Sequence, residues 1–273
     1  MPKAGTGWLF DQLQYHPDFW MPPIKELHYL NRARPRMRNA AKALNRLGKR
    51  QRADRRPGDG RDPKFLQEAV ECGKHPRDIE RYAALFRYKG DLLSGDVSPG
   101  YSRLDEEVVE KIASTLPDVK VLLLVRDPVA RVMSHISMEF REERFDAAVA
   151  NDTARFRDFL NNSKQGEIGS FPSRIVARWQ KHAPKVQFHH ILFEDLANEP
   201  EKTRREILLY LGADPEKQSG ELPAGHNRKA THAKLELSEG AKAILVEHFK
   251  DELAACAKLF GSHAENWAAR YGL

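Results

Sequence analysis

An α/β fold with a central parallel sheet flanked by helices is the class this sequence predicts, and three observations predict it. The near-continuous apolar run Val119-Lys120-Val121-Leu122-Leu123-Leu124-Val125 has the character of a parallel strand buried on both faces. Arg126-Asp127-Pro128 ends it at once and opens a helix, with Asp127 as the cap and Pro128 at the first helical position. Elsewhere helical apolar spacing alternates with a second strand pattern, the signature of strands joined by crossover helices.

Along the chain, a first helix is predicted from Thr6 to about Tyr15, stopped by His16-Pro17, with Trp8, Leu9 and Leu13 toward the sheet. Phe19-Trp20-Met21 and Lys25 to Tyr29 are read as short extended pieces around Pro22-Pro23. Arg32, Arg34, Arg36, Arg38, Lys42, Arg46, Lys49, Arg50, Arg52, Arg55 and Arg56 crowd an insertion spanning about 31–61, which ends in the loop signal Pro57-Gly58-Asp59-Gly60. Phe65, Leu66, Ala69 and Val70, then Ile79, Tyr82, Leu85 and Phe86, have helical spacing, as do Val108, Val109, Ile112 and Leu116 ahead of the main strand. The stretch from Glu139 to Gln165 is read as a polar, irregular insertion able to cover a cleft. Ile175, Val176 and Trp179 mark a helix, and Val186, Phe188, His190 and Leu192 alternate as a strand. A helix starts at Glu199-Pro200 and closes at Gly212, and Leu245 to Phe260 continue a long C-terminal one.

At 273 residues, 41% hydrophobic and 31% charged, the chain is long enough for one α/β domain with a sizeable core, and it is read as a single domain over 1–273. No apolar run approaches the roughly 20 residues that cross a bilayer, and no leader pattern precedes the first helix, so a cytoplasmic location is expected without membrane partners. Cys72 and Cys256 have no ligand-like spacing, which argues against a disulfide framework and a metal site.

Two segments carry chemistry. In Met1-Pro2-Lys3-Ala4-Gly5-Thr6-Gly7-Trp8-Leu9-Phe10, the backbone N–H groups of Gly5, Thr6 and Gly7 at a helix start, with Lys3 beside them, form an anion cradle suited to phosphate or sulfate esters. The ATP-binding pattern G-x-x-x-x-G-K-[ST] is absent, which disfavours a kinase or ATPase. At the second segment, Arg126 stands at the carboxyl end of a strand, where open α/β sheets bind ligands, and Ser134 lies two helical turns on. Arg126 can fork onto a phosphate while the Ser134 hydroxyl donates to it. Taken singly, each segment also reads as an ordinary helix start or a surface pair.

Together they resemble the sulfotransferase family, which moves a sulfuryl group from 3'-phosphoadenosine 5'-phosphosulfate (PAPS) to an acceptor. Lys3-x-Gly5-Thr6-x-Trp8-Leu9 is similar to the family's 5'-phosphosulfate loop, and Arg126-Asp127-Pro128 with Ser134 to its 3'-phosphate motif. Lys25 to Tyr29 and Ser98-Pro99-Gly100-Tyr101 resemble the bacterial and glycan-modifying branch. Trp179, Phe193-Glu194-Asp195-Leu196 and Tyr210-Leu211-Gly212 follow in the family's order. The resemblance implies a P-loop-like three-layer fold, PAPS as co-substrate without a metal, and an acceptor that is a small molecule or a glycan.

Residue by residue, it implies Lys3, Gly5, Thr6, Gly7, Trp8, Arg126 and Ser134 as donor-binding positions, and Lys3 as the group stabilising the leaving oxygen. Arg228 and Lys229, in the basic loop Gly225 to His232, match the late loop over the 3'-phosphate and adenine. Glu26 matches the family's catalytic glutamate, with His28 orienting it or the acceptor. If Lys25 to Tyr29 is extended, Glu26 and His28 share one face and Lys25, Leu27 and Tyr29 the other. His135 and Phe171 are read as a helix-face residue and a core aromatic.

The chain departs from the family in three places. Gly7 stands where the family carries a second hydroxyl residue, and Val97 where some members carry a lysine. Only Met1 and Pro2 precede the loop, where the family has a hydrophobic first strand, so the true start is expected upstream. Two other readings stay open: a polyanion- or nucleic-acid-binding protein using the Arg-rich segment, or a catalytically degenerate relative. An electropositive rim that draws in an anionic acceptor is the functional alternative to a merely solvated basic helix.

Overall fold

The computed structural model describes residues 1–47, 59–162, 170–217, 222–226 and 234–273. The first helix, α1 (Thr6–Gln14), begins at Gly5, whose φ of 93° is left-handed, and buries Trp8, Leu9, Phe10 and Leu13. Its first turn carries no acidic residue and no side-chain cap, so its leading N–H groups are open. α2 (Arg38–Leu44), α3 (Asp62–Cys72), α4 (Ile79–Ala84) and α5 (Glu106–Thr115) follow, each on the apolar spacing that predicted a helix or inside the basic insertion.

Strands β1 (Lys120–Val125) and β2 (Gln187–Leu192) pair in parallel, in register from Lys120 with Gln187 to Val125 with Leu192. Both are most buried at their carboxyl ends, the end at which open α/β sheets commonly bind ligands. Between them run α6 (Pro128–Arg141), α7 (Ala147–Asn151), α8 (Thr153–Asn162) and α9 (Pro172–His182). β2 passes directly into α10 (Phe193–Asn198), then α11 (Pro200–Leu211) and the long α12 (Glu239–Phe260). α11 closes where expected, on Gly212 at φ 91°.

Among the described residues the sheet has these two strands, plus a single parallel bridge between Phe19 and Leu93. The Met1 amino group donates to the Leu124 carbonyl at 3.0 Å, and beside that edge of β1 lies a largely apolar cavity of about 820 Å³ that reaches Phe19 and Leu93. Burial holds the Met1 amine down at a pKa of about 5.

The segment from Glu139 onward is not irregular. α6 runs on to Arg141, and α7 and α8 follow as far as Asn162, because Phe156 and Leu160 recur one turn apart and bury against α12. Lys25 to Tyr29 is not a strand either: Glu26 and His28 adopt φ of 66° and 53°, and the segment loops rather than extends. Its alternate residues Leu27 and Tyr29 are nevertheless buried, at 2% and 0% exposure, so the in-and-out pattern holds without the pleat. Phe171 packs on Phe249 as a core aromatic.

The C-terminal residues lock the sheet's working end. Tyr271 donates to Asp127 at 2.6 Å, and Trp267 and Arg270 donate to Glu194 at 2.8 and 2.9 Å. Asp127 also caps α6 by accepting from Val129 N at 2.9 Å and Ala130 N at 3.2 Å; its burial raises the carboxyl pKa.

Candidate active site

The glycine turn sits where only glycine fits. A Cβ on Gly5 would come within 2.8 Å of Leu196 on α10, and its φ is left-handed besides. A Cβ on Gly7 would meet nothing within 4 Å. The α1 start is thus pressed onto α10 on one side and open on the other. Trp8 does not face that opening: its indole is 9% exposed and donates to the Ala224 carbonyl at 2.5 Å. Gln12 donates to Pro223 at 3.0 Å, so segment 222–226 docks on α1. Arg228 and Lys229 lie outside the described residues.

The two distant motifs meet. Arg126 donates to the backbone carbonyl of Lys3 at 2.9 Å and lies over the Phe193 ring at 4.4 Å, so the end of β1 and the loop before α1 share one corner. Burial draws the Arg126 pKa down, opposed by Asp127 and Glu194. One turn further along α6, Arg131 is 2% exposed and donates to Ser170 at 2.7 Å; burial, then Arg103 and Arg126, lower its pKa to about 10. Lys3 acts electrostatically on His135 and Glu139, which places its charge toward α6, the helix that carries Ser134. His135 is held neutral, at a pKa of about 4, first by burial and then by Arg131. The Ser134 hydroxyl is half-buried and makes no hydrogen bond among the described residues. A corner with several cations, open helix N–H groups and a left-handed glycine fits a phosphate- or sulfate-bearing nucleotide.

Lys25 corrects the expected two-faced segment. It joins the Glu26 side, donating to Thr6 Oγ1 at 3.1 Å and to Glu26 Oε1 at 3.0 Å, while Glu26 Oε2 meets His28 Nε2 at 3.1 Å. The positive φ at Glu26 swings its side chain back over Lys25, which a pleated strand forbids. A continuous polar chain therefore runs from the α1 start through Lys25 and Glu26 to His28. Burial alone would raise the Glu26 pKa, but the His28 hydrogen bond and the Lys25 charge outweigh it and bring the carboxyl to about 2.

Sequence reasoning missed what holds this loop. Asp96, half-buried, accepts from Tyr101 at 2.5 Å, Ser98 at 2.7 Å, Tyr82 at 3.3 Å and the Leu27 N–H at 3.4 Å. Ser98 in turn accepts from His28 N, and the Tyr101 hydroxyl from Tyr29 N. The only advance signal was Ser98-Pro99-Gly100-Tyr101 itself, read as a turn.

Comparison with known proteins bears on the family and the fold. No curated protein sequence matches the chain. Over 97% of its length it superposes on a sulfotransferase from Alicyclobacillus acidocaldarius, covering 94% of that chain with a TM-score of 0.62 at 22% identity. It also superposes on the sulfotransferase domain of the Synechococcus PCC 7002 olefin synthase, with a TM-score of 0.50, 17% identity, and coverage of 100% and 92%. Both likenesses are of fold. The model of the sulfotransferase family matches residues 1–217, from the glycine turn through both strands and α11, and the chain belongs to that family.

Proposed function

We propose that this protein transfers a sulfuryl group from PAPS to a hydroxyl or amine of a carbohydrate or small-metabolite acceptor, with Glu26 as general base. The observation that carries this reading is the Lys25 bridge, which ties the candidate base to the helix start that would hold the donor. PAPS, when bound, supplies the transferable sulfuryl group on a phosphosulfate anhydride. Gly5, Thr6 and Gly7 would offer their N–H groups to its 5' end, and Arg126, Ser134, Arg228 and Lys229 their side chains to the 3'-phosphate. Trp8, fixed to Ala224, holds the loop's shape rather than a ligand.

Lys3 neutralises charge growing on the leaving oxygen, and Lys25 does the same from the Thr6 side. Glu26 takes the acceptor's proton. With a pKa near 2 it is a weak base while both neighbours hold it, so an arriving hydroxyl must displace one of those hydrogen bonds. His28 is placed to give way or to receive the acceptor. We read the chain as one catalytic domain of a cytoplasmic enzyme; among the described residues no helix is long and apolar enough to cross a membrane.

The test pairs donor binding with turnover. Adenosine 3',5'-bisphosphate at a hundredfold excess over its Kd should raise the melting temperature by roughly 5 °C, and Arg126→Ala should remove that rise. Glu26→Gln should keep it and lose about 100-fold or more in kcat. No thermal response to either PAPS or the bisphosphate would sink the donor assignment.

A further inference from the structure

Residues 31–47 of the basic insertion have a place in the structure that their sequence did not assign. Met37 is 1% exposed and Ala40 0%, and both pack the insertion onto α3, where Gly73 leaves room for Met37. Arg77 ties it down further, donating from its backbone N–H to Ala33 at 2.9 Å and from its guanidinium to Leu30 at 2.9 Å. Asn39 then reaches across to donate to the backbone carbonyl of Glu26 at 2.9 Å. The segment is thus a fixed strap, fastened directly to the residue read as the base.

Over residues 31–47 its charges point outward. Arg32, Arg34, Arg36, Arg38, Lys42 and Arg46 are exposed, and among the described residues none pairs with a carboxylate. Lys42 stands three residues after Asn39, and Arg38 four before Lys42, so a stripe of cations lies on the helix turn beside the Glu26 contact. Cations left without acids next to a site cost stability through mutual repulsion, and a bound anion relieves it.

Resting on the reading of Glu26 as the base, we infer that the acceptor is an anionic saccharide, one that already carries carboxylate or sulfate groups, and that Arg38 and Lys42 on this strap hold those groups while a free hydroxyl meets Glu26. A nucleic acid fits the surface less well. The stretch from Arg32 to Leu47 contains no aromatic residue to stack on a base.

The experiment uses the full chain loaded with adenosine 3',5'-bisphosphate and, as probes, sulfated maltohexaose and plain maltohexaose in calorimetric titrations. The sulfated form should bind, the neutral form should not, and binding should weaken as salt rises. The double variant Arg38→Glu, Lys42→Glu should weaken it by about tenfold or more, with the melting temperature no lower than wild type and bisphosphate affinity unchanged. The His28 ring resonances of the wild-type protein should shift on adding the sulfated probe.

Equal binding of the two saccharides, an unaffected double variant, or unmoved His28 resonances would overturn the inference. So would displacement of the sulfated probe by a lower concentration of a single-stranded oligonucleotide of equal charge, which would make the strap a nucleic-acid surface. Failure of the bisphosphate to bind at all is a separate result and counts against the donor assignment instead.

Discussion

The donor corner and the Glu26 loop are built in opposite ways, although Lys25 joins them. At the donor corner, each turn sets its own backbone from residues one or two away, and tertiary contacts then bring the turns together. Gly5 turns left-handed, α1 starts, and Asp127 caps α6 immediately after β1. The Glu26 loop has no regular structure of its own, holds two non-glycine residues at positive φ, and hangs from hydroxyls and a carboxylate about seventy residues downstream. A corner of the first kind is rigid by construction. A loop of the second kind keeps its shape only while its remote supports remain, since positive φ at Glu26 and His28 costs of order 1 kcal/mol or more at each.

That contrast breaks most visibly at Asp96. Asp96→Ala leaves the Tyr101, Ser98 and Tyr82 hydroxyls and the Leu27 N–H without their acceptor, and should cost about 2–4 kcal/mol in chemical denaturation. Turnover should fall further than stability explains, with bisphosphate affinity intact and partial rescue by Asp96→Asn. If bisphosphate affinity falls as much as kcat, the two regions are not separate.

The paired glycines sharpen the donor side. Gly5→Ala forces a Cβ to 2.8 Å from Leu196 at a φ of 93° and should cost roughly 1–3 kcal/mol, together with donor affinity. Gly7→Ser adds a hydroxyl in open space at the same turn. It should change stability by about 0.5 kcal/mol or less and tighten bisphosphate binding, as a new hydroxyl donor worth about 1 kcal/mol would. A destabilised Gly7→Ser protein, or an unaffected Gly5→Ala one, would contradict the described loop.

The smallest effect is a pH dependence. Glu26 titrates near 2 in the folded protein against about 4.3 unfolded, so its contribution to stability is present above pH 4.3 and fades as pH falls toward 2. The stability difference between wild type and Glu26→Gln should therefore shrink as pH falls below about 4.3. A difference that stays unchanged down to pH 2 would mean that Glu26 is not held by Lys25 and His28 as described.

Much of the donor corner could be read in advance because its causes are local. The apolar run, the Asp-Pro cap and the Gly-Thr-Gly turn each specify their own backbone: β1 and α1 lie within a residue of their predicted bounds, and α6 starts at Pro128 as predicted. The polar segment after Glu139 was misjudged because Phe156 and Leu160 are few among charged neighbours, and only α12 gives their helix a partner to bury against. Lys25 was assigned to the wrong face because a period-two rule presumes a pleat.

The amino-acid order alone thus determined the parallel α/β class, the helix starts at Thr6 and Pro128, and the residue types able to receive an anion, since each follows from propensity, capping and periodicity within a few positions. Only the folded chain decided that Arg126 touches the Lys3 carbonyl, that Lys25 spans Thr6 and Glu26, that Asp96 suspends the Glu26 loop, and that the basic strap is fastened to it through Asn39. Those contacts join residues up to 123 positions apart, and no local preference encodes a distance that packing alone sets.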